Sequence, residues 1–418
     1  MYKTVELSAA EHDKFVMSHP VGDLLQLSGW AKSKELTDWY SRRIAVARDG
    51  EVVGVASLLF KKLPKVSLTM CYVSRGFVCD FSNDALVSAM LDAAIEVARD
   101  EKSYVIKIDP DIEVEGNEML IDRLKAYGFK HSGLVDGMSK DNIQPRQTMV
   151  TDITKPDKEL IQSFESQNRT LVRSSFKRGT KVERAGREDM GIFKALMDET
   201  GKRNGFLTRD TTYFLSMYDA LNPTGNMELF LVKLEPGELM ETLTEDKAKL
   251  DKQKAKLVKR SEKKDVTGAM RDVDDQLTAM EKRIEELGEI LETHPEGIYL
   301  SGALLALSGE KAYYLYGASS DHYRSFLPNH NMQFTMMQYA RAHGAKSYDF
   351  GGVSVDPGED SPYFGLWRFK KAWGTEVSDK IGEFDYVLNK PVYTLLEKGV
   401  PLAQKAKVNL NKILNRKK

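Results

Sequence analysis

Between Pro236 and Gly297 this chain carries a segment that cannot belong to the core of an ordinary globular domain. From Glu241 to His294 there is no aromatic residue, and about half the positions are charged. Apolar residues recur at Val266, Met270, Val273, Leu277, Met280, Ile284, Leu287 and Leu291, alternately four and three apart, which is a heptad seam. Leu239, Leu243, Leu250 and Leu257 form a weaker seam before it. The spacing predicts an antiparallel coiled-coil hairpin over residues 239–293, turning near Ser261–Gly268, with helices of about 23 residues and ~35 Å. Charge separates between its halves: Lys247–Lys264 holds nine basic and two acidic residues, Arg271–Glu292 three and eight. Attraction across the hairpin is one reading. A basic helix lying along a polyanion is the other, through Lys252, Lys256 and Lys259.

The flanks of this segment repeat. RRIAVARDGEVVGVASLLF (42–60) reads as two strands around an Asp49-Gly50 hairpin turn. ELFLVKLEPG (228–237) and GIYLSGALLALSGEKAYYLYG (297–317) read as the same hairpin, with the charged segment replacing the turn. A hairpin tip accepts insertions because its ends are adjacent and exposed. Each copy continues with a helix (Asp84–Asp100; Asn331–His343), a strand (Tyr104–Ile108; Ser347–Phe350) and a helix ending in aromatic-glycine (RLKAYGF, 123–129; RFKKAWG, 368–374). Two tandem α/β domains follow, 1–146 and 147–395, with a basic C-terminal helix at 396–418.

Composition narrows the function. Sixty-one basic and 62 acidic residues among 418 exclude a uniformly basic coat but not local patches. Two cysteines, Cys71 and Cys79, exclude a disulfide scaffold and any multi-cysteine metal cluster, and the seven histidines show no paired-ligand spacing, so no metal site is expected. No apolar run approaches the ~20 residues of a membrane span, and the N-terminus lacks an apolar signal core, so a cytoplasmic protein is expected. Pro401–Lys418 holds six basic and no acidic residues, with Leu402, Ala406, Leu410, Ile413 and Leu414 on one stripe. That pattern suits the anionic inner leaflet of a membrane, or else a frayed tail. Arg169, Arg173 and Lys177 fall at i, i+4 and i+8, a helical stripe that is either solvated or a track for RNA phosphates.

Repeated βα units with an aromatic-glycine turn resemble the GNAT acyltransferase fold. The loops expected to cradle a coenzyme A pyrophosphate, SSDHYRSFLPNHN (319–331) and VCDFSNDAL (78–86), contain no glycine, which disfavours that donor. An ordered set of segments is more specific: GDLLQLSGWAKSK (22–34), YVIKIDPD (104–111), IQPR (143–146), NGFLTRDTTYF (204–214), YYLYGASS (313–320), YDFGGV (348–353), WRFKKAWG (367–374) and IGEFDYVLN (381–389). Over residues 1–395 the chain resembles the Fem family of peptidoglycan interpeptide-bridge aminoacyltransferases. The resemblance implies tandem GNAT-like domains and an arm like the tRNA-binding arm of seryl-tRNA synthetase. It implies aminoacyl-tRNA as donor with no further cofactor, the ε-amine of the stem-peptide lysine of lipid II as acceptor, and other Fem-type transferases as partners. Within the family, glycine as the first bridge residue fits best, with alanine or serine as alternatives. Outside it, the rivals are an acyl-CoA-dependent N-acetyltransferase and a non-catalytic binding protein whose coiled coil holds RNA or a partner.

Aminolysis of an ester needs positioning, a neutral amine and oxyanion stabilisation rather than a covalent intermediate. The resemblance assigns the cationic role to Lys370, which alone would read as a solvated helix lysine, and places Phe369 beside it. Asp109, a strand-end carboxylate before proline, and Glu383 are the matching acids, able to hold or deprotonate an ammonium. Lys34 and Arg209 match positions that bind the acceptor pyrophosphate. Tyr213 shares the face of Arg209 if that segment is helical. Tyr314 and Tyr316 alternate on a predicted strand and are expected on one face. Tyr104 and Trp39 complete the expected substrate cleft.

Overall fold

The structure is a computed structural model that describes residues 1–399 apart from 65, 140–141 and 263. Most of the expected basic helix, residues 400–418, lies outside the described residues. The strands are β1 (Tyr2–Val5), β2 (Trp39–Arg48), β3 (Glu51–Lys62), β4 (Thr69–Val73), β5 (Val78–Cys79), β6 (Ser103–Ile108), β7 (Phe129–His131), β8 (Gln147–Asp152), β9 (Thr180–Ala185), β10 (Met227–Leu234), β11 (Ile298–Ser308), β12 (Lys311–Ser319), β13 (Ser347–Gly352), β14 (Glu376–Asp379) and β15 (Phe384–Val387). They form two sheets of mixed direction, and the duplication is visible in their order.

The first sheet runs β1-β2-β3-β4-β6-β15-β7, with β5 also on β3; the second runs β9-β10-β11-β12-β13-β8-β14. The parallel contact falls at the same place in each, between β4 and β6 and between β12 and β13. These are tandem GNAT-like units. Their next-to-last places are filled by β15 in the first sheet and β8 in the second. β8 opens the second unit and pairs with β13 and β14 of that unit. β15 follows the second unit yet lies between β6 and β7. Residues 384–387 thus lie in the first sheet, although the sequence groups them with the second unit. FDYV has no pattern that prefers either sheet, and chain order suggests the second.

The β2–β3 turn uses Asp49 (φ 54°) and Gly50 (φ 90°), both left-handed, as a tight primed hairpin turn requires. In the second unit Leu234 pairs with Ile298, and between them rise the helices Pro236–Ser261 and Thr267–Thr293. The ion pairs Lys247–Glu281 (3.1 Å) and Lys254–Asp274 (2.7 Å) fix their antiparallel register. Exposed pairs of this kind contribute at most ~1 kcal/mol each, so the apolar seam holds the arm. Val273 and Leu277 are buried along it. At the root Leu239, Leu243, Leu287 and Ile290 pack on Leu234, Leu300 and Phe326. Ile290 rather than Leu291 is the buried residue there, because the helix meets the sheet as well as its partner.

A shared core joins the units. Leu24, Leu27 and Trp30 from the first unit pack with Phe214, Met217 and Leu221 from the second. The two sheets are therefore held in one arrangement by apolar burial, and the groups between them sit at fixed positions.

A candidate active site at the junction of the units

Lys370 sits near the end of the helix Phe364–Lys371 and is only 4% exposed. The helix buries it because Trp373, one turn on, anchors in the core with Phe350, and Phe369 packs edge-on against both. Lys370 Nζ donates to the Gly352 carbonyl at 2.6 Å. The turn that presents this carbonyl needs Gly351, whose φ is +81°. Gly351 N–H donates to Asp349 Oδ1 at 2.6 Å. Burial lowers the Lys370 pKa to about 8, and the Asp349 charge opposes the shift. The ammonium thus lacks a direct carboxylate partner and sits in a site where it readily loses its proton.

Asp109 is buried at the end of β6. Its Oδ1 accepts from Tyr72 Oη (2.9 Å) and from Arg75 N–H (2.8 Å), and Arg75 Nη1 lies 3.4 Å from Oδ2. Burial raises its pKa to about 7 against the pull of Arg75. Glu383 is buried beside it; its pKa is raised by burial, while the Ile143 N–H it accepts opposes this. Trp39 lies at the edge of this group, 6.5 Å from the Tyr72 ring. Asp109 and Lys370 do not touch. Arg75 also donates to the Pro145 carbonyl, and a Cβ on Gly352 would fall 2.5 Å from Pro145. The 143–146 linker thus separates the acids from the lysine, with Arg75 and Gly352 against its two sides.

Below this seam opens a cleft of about 830 Å³, lined by Asp23, Arg75 and Asp111 of the first unit and Lys311, Asp349 and Lys380 of the second. Burial disfavours the Asp111 charge, but Lys380 (2.8 Å) and Lys311 hold its carboxyl well below the usual range. The cleft is therefore crossed by a fixed ion-pair bridge between the units.

A third group gathers Lys34, Arg209, Tyr213 and Tyr316. Lys34 Nζ lies 3.7 Å over the Trp30 ring and 3.1 Å from Tyr213 Oη, which is 3.3 Å from Tyr316 Oη. The Arg209 guanidinium sits 5.1 Å over the Tyr213 ring. The helix starts only at Thr211, so stacking rather than a shared helical face unites Arg209 with Tyr213. Burial lowers the Lys34 pKa, and Tyr213 opposes this.

Tyr314 does not join Tyr316. The β11–β12 register shifts so that Leu305 faces Tyr314 and Leu304 faces Tyr316, leaving Leu315 as an extra residue. This bulge reverses the alternation and corrects the expectation of one shared face. Tyr316 packs in the shared core and Tyr314 against Phe350 in the second unit. Tyr314 Oη occupies the place of a Cβ on Gly317, only 1.7 Å away, so residue 317 must lack one. Tyr104 is buried elsewhere, donating to Glu397 at 2.8 Å next to the Lys107–Asp385 pair.

The profile of the FemAB family matches residues 7–398. The chain belongs to the FemAB family. It is 56% identical over 405 residues to a lipid II:glycine glycyltransferase of Staphylococcus saprophyticus, covering 97% of this chain and 98% of that protein. Identity is 54% over 413 residues to the protein of that name from Staphylococcus epidermidis, covering 99% of each. It is 54% over 418 residues to that from Staphylococcus aureus, again covering 99% of each. The crystal structure of FemX superposes with a TM-score of 0.87 at 54% identity, covering 95% of this chain and all of that one.

Several residues of this FemAB protein's junction escaped the sequence reading. Arg75 has no motif around it. Asp111, in IDPD, and Asp349, in YDFGGV, stood inside segments that were recognised for other residues. An acid at a strand end before Gly-Gly was the available signal for Asp349. The basic groups divide. The helix Ser166–Ser175 carries Arg169 and Arg173, but Lys177 falls in the turn after it, so the expected three-residue stripe is two residues long. Arg169 donates to Gln162. On the arm Lys247 and Lys254 are paired across the hairpin, whereas Lys252, Lys256 and Lys259 are exposed and form no ion pair among the described residues. Cys71 and Cys79 are buried, and burial pushes the Cys79 thiol up to about 12, so neither is a ready nucleophile. No described helix is long and apolar enough to cross a membrane.

Proposed function

We propose that this chain transfers glycine from glycyl-tRNA to the ε-amine of the stem-peptide lysine of lipid II, adding the first residue of the interpeptide bridge at the cytoplasmic face of the membrane. The observation that carries the reading is identity of 54–56% to lipid II:glycine glycyltransferases along nearly the whole chain. The site chemistry supports it. The lysine amine attacks the ester carbonyl, a tetrahedral oxyanion forms, the C–O bond to the ribose breaks, and the amine proton passes to the departing oxygen.

Lys370 supplies the cation for the oxyanion. Its ammonium is held by a single carbonyl, so two N–H bonds remain to turn toward a developing charge. Asp109 and Glu383 serve the acceptor amine. Burial raises both carboxyls toward the range in which a weak base works near neutral pH. The Lys34–Arg209–Tyr213 group offers two cations and a hydroxyl to the pyrophosphate of lipid II, with Tyr316 bracing Tyr213. Trp39 borders the acceptor side through the Tyr72 ring, Tyr104 lies away from it, and Phe369 fixes the direction of Lys370.

The test is mass spectrometry of lipid II after incubation with the protein and a mixture of charged tRNAs. One glycine added to the stem lysine is the expected product. Alanine or serine in its place would overturn the glycine assignment, and modification by acetyl-CoA alone would overturn the donor.

The arm gives a second prediction. Lys247 lies opposite Glu281, so removing 248–280 and closing with a short glycine-rich turn keeps the apolar root. This shortened chain is expected to keep its thermal midpoint within a few degrees and to raise the KM for glycyl-tRNA by about tenfold or more. Unchanged donor kinetics would remove the arm from donor binding.

A further inference from the structure

Two arginines lie near Ser325 at the root of the arm, and neither forms an ion pair among the described residues. Arg178 follows the helix Ser166–Ser175; its Nε donates to Ser174 Oγ (3.2 Å) and its Nη1 to the Ser325 carbonyl (3.1 Å). Arg283 comes from the second arm helix. Its Nη2 is shielded from solvent and makes no hydrogen bond. Burial and the charge of Arg178 both disfavour its cation, with Glu286 partly offsetting them. Glu286 is itself engaged by the Ser325 hydroxyl at 3.1 and 3.2 Å, and neither arginine forms an ion pair among the described residues. Elsewhere at this root charge is matched: Lys181 pairs with Glu235 and Glu238.

Holding two guanidinium groups together, one with a buried unbonded nitrogen, costs stability unless an anion completes the set. The surroundings say which kind. Arg173 and Lys177, on the same segment as Arg178, are exposed and form no ion pair among the described residues, and the same holds for Lys252, Lys256 and Lys259 on the first arm helix. Isolated anions would not need unneutralised charge on both sides of the junction; a chain of phosphates would. Two planar forks also suit the two free oxygens of a phosphodiester.

We propose that Arg178 and Arg283 together hold one backbone phosphodiester of the donor tRNA where the arm joins the second unit. The inference rests on the aminoacyl-tRNA reading above and adds a fixed anchor to it. Because both arginines serve one phosphate, their losses should not add.

The test uses the full chain with uncharged glycine tRNA, with Kd measured from about 50 to 200 mM salt. Arg283→Gln and Arg178→Gln are each expected to weaken binding by about tenfold at low salt and to lower the salt slope by about one. The double variant should resemble either single one. In transfer assays the KM for glycyl-tRNA rises, while kcat and the KM for lipid II stay. Thermal midpoints should hold or rise, since a repulsion is relieved; a purely structural role would lower them and leave Kd alone. Wild-type affinity and slope in both variants would overturn the anchor while leaving the donor reading intact. An unaltered protein that binds no tRNA would overturn both.

Discussion

Replacing Lys370 with methionine is expected to reduce kcat for glycyl transfer by at least about a hundredfold, the scale of losing one oxyanion donor. Affinity for lipid II and for tRNA should remain, because Lys370 belongs to neither the phosphate group nor the basic track. The variant should also be more stable near neutral pH. The sign follows from linkage: the folded pKa is about 8 against 10.5 in the free side chain. Below pH 8 both states carry the proton, and the folded state bears the full cost of a buried cation. From 8 to 10.5 the unfolded chain binds more protons, so stability rises with pH by on the order of 3 kcal/mol. Methionine fills similar volume without that cost. The pH–rate profile separates catalysis from structure. Transfer should fall as pH rises through about 8, as the cation is lost. Asp349→Asn, which removes the charge supporting it, should move that alkaline limb to lower pH. A uniform loss of rate with an unmoved limb would show that Asp349 shapes only the Gly351 turn. Full activity in Lys370→Met would remove the lysine from the reaction.

What the sequence carried and what it hid divide along a physical line. Local pattern was legible: the Asp49-Gly50 turn, the helix Asp84–Asp100 and the interrupted β10–β11 hairpin all follow from spacing and turn chemistry within a few residues. Features set by the partner strand were not. The bulge at Leu315 leaves no mark in YYLYG, because an alternating run reads the same with or without an extra residue. The crossing of β15 into the first sheet is invisible for the same reason. Candidate site residues were legible where a family motif named them, as with Lys370 and Asp109, both of which the structure buries. They were lost where only assembly gives them meaning. Arg75 is an undistinguished arginine until it meets Asp109 and the Pro145 carbonyl. Arg283 sits in a helix rich in charge, and only its missing partner marks it.

The crossed strand β15 and the shared core predict that neither unit folds alone. A fragment ending at residue 146 lacks β15, leaving β6 and β7 with unpaired edges on the two sides of an empty place, in the interior rather than at the rim of the sheet. It also loses Phe384, fully buried against Phe129 and stacked 4.6 Å from His131. The complementary fragment from 147 onward keeps β8 and its own sheet but presents β15 with nothing to pair, and exposes its half of the shared core around Phe214 and Leu221. Each fragment is expected to be soluble only poorly and to show no cooperative unfolding; the two expressed together should associate and recover transfer. In the whole chain, calorimetry should give a single transition. Phe384→Ala tests the same point without truncation. Removing a fully buried phenylalanine costs about 3–5 kcal/mol. Because β15 ties the end of the chain to the first sheet, that loss should lower the one transition rather than split it. Two separate transitions, with only the earlier one moved by Phe384→Ala, would mean that the crossed strand does not couple the units. A folded 1–146 fragment would mean the same. The linker 143–146, between Asp109 and Lys370, runs directly into β8 of the second sheet, while Arg75 of the first unit holds its Pro145 carbonyl. That contact and the close approach of Gly352 to Pro145 hold Asp109 and Lys370 on opposite sides of one linker.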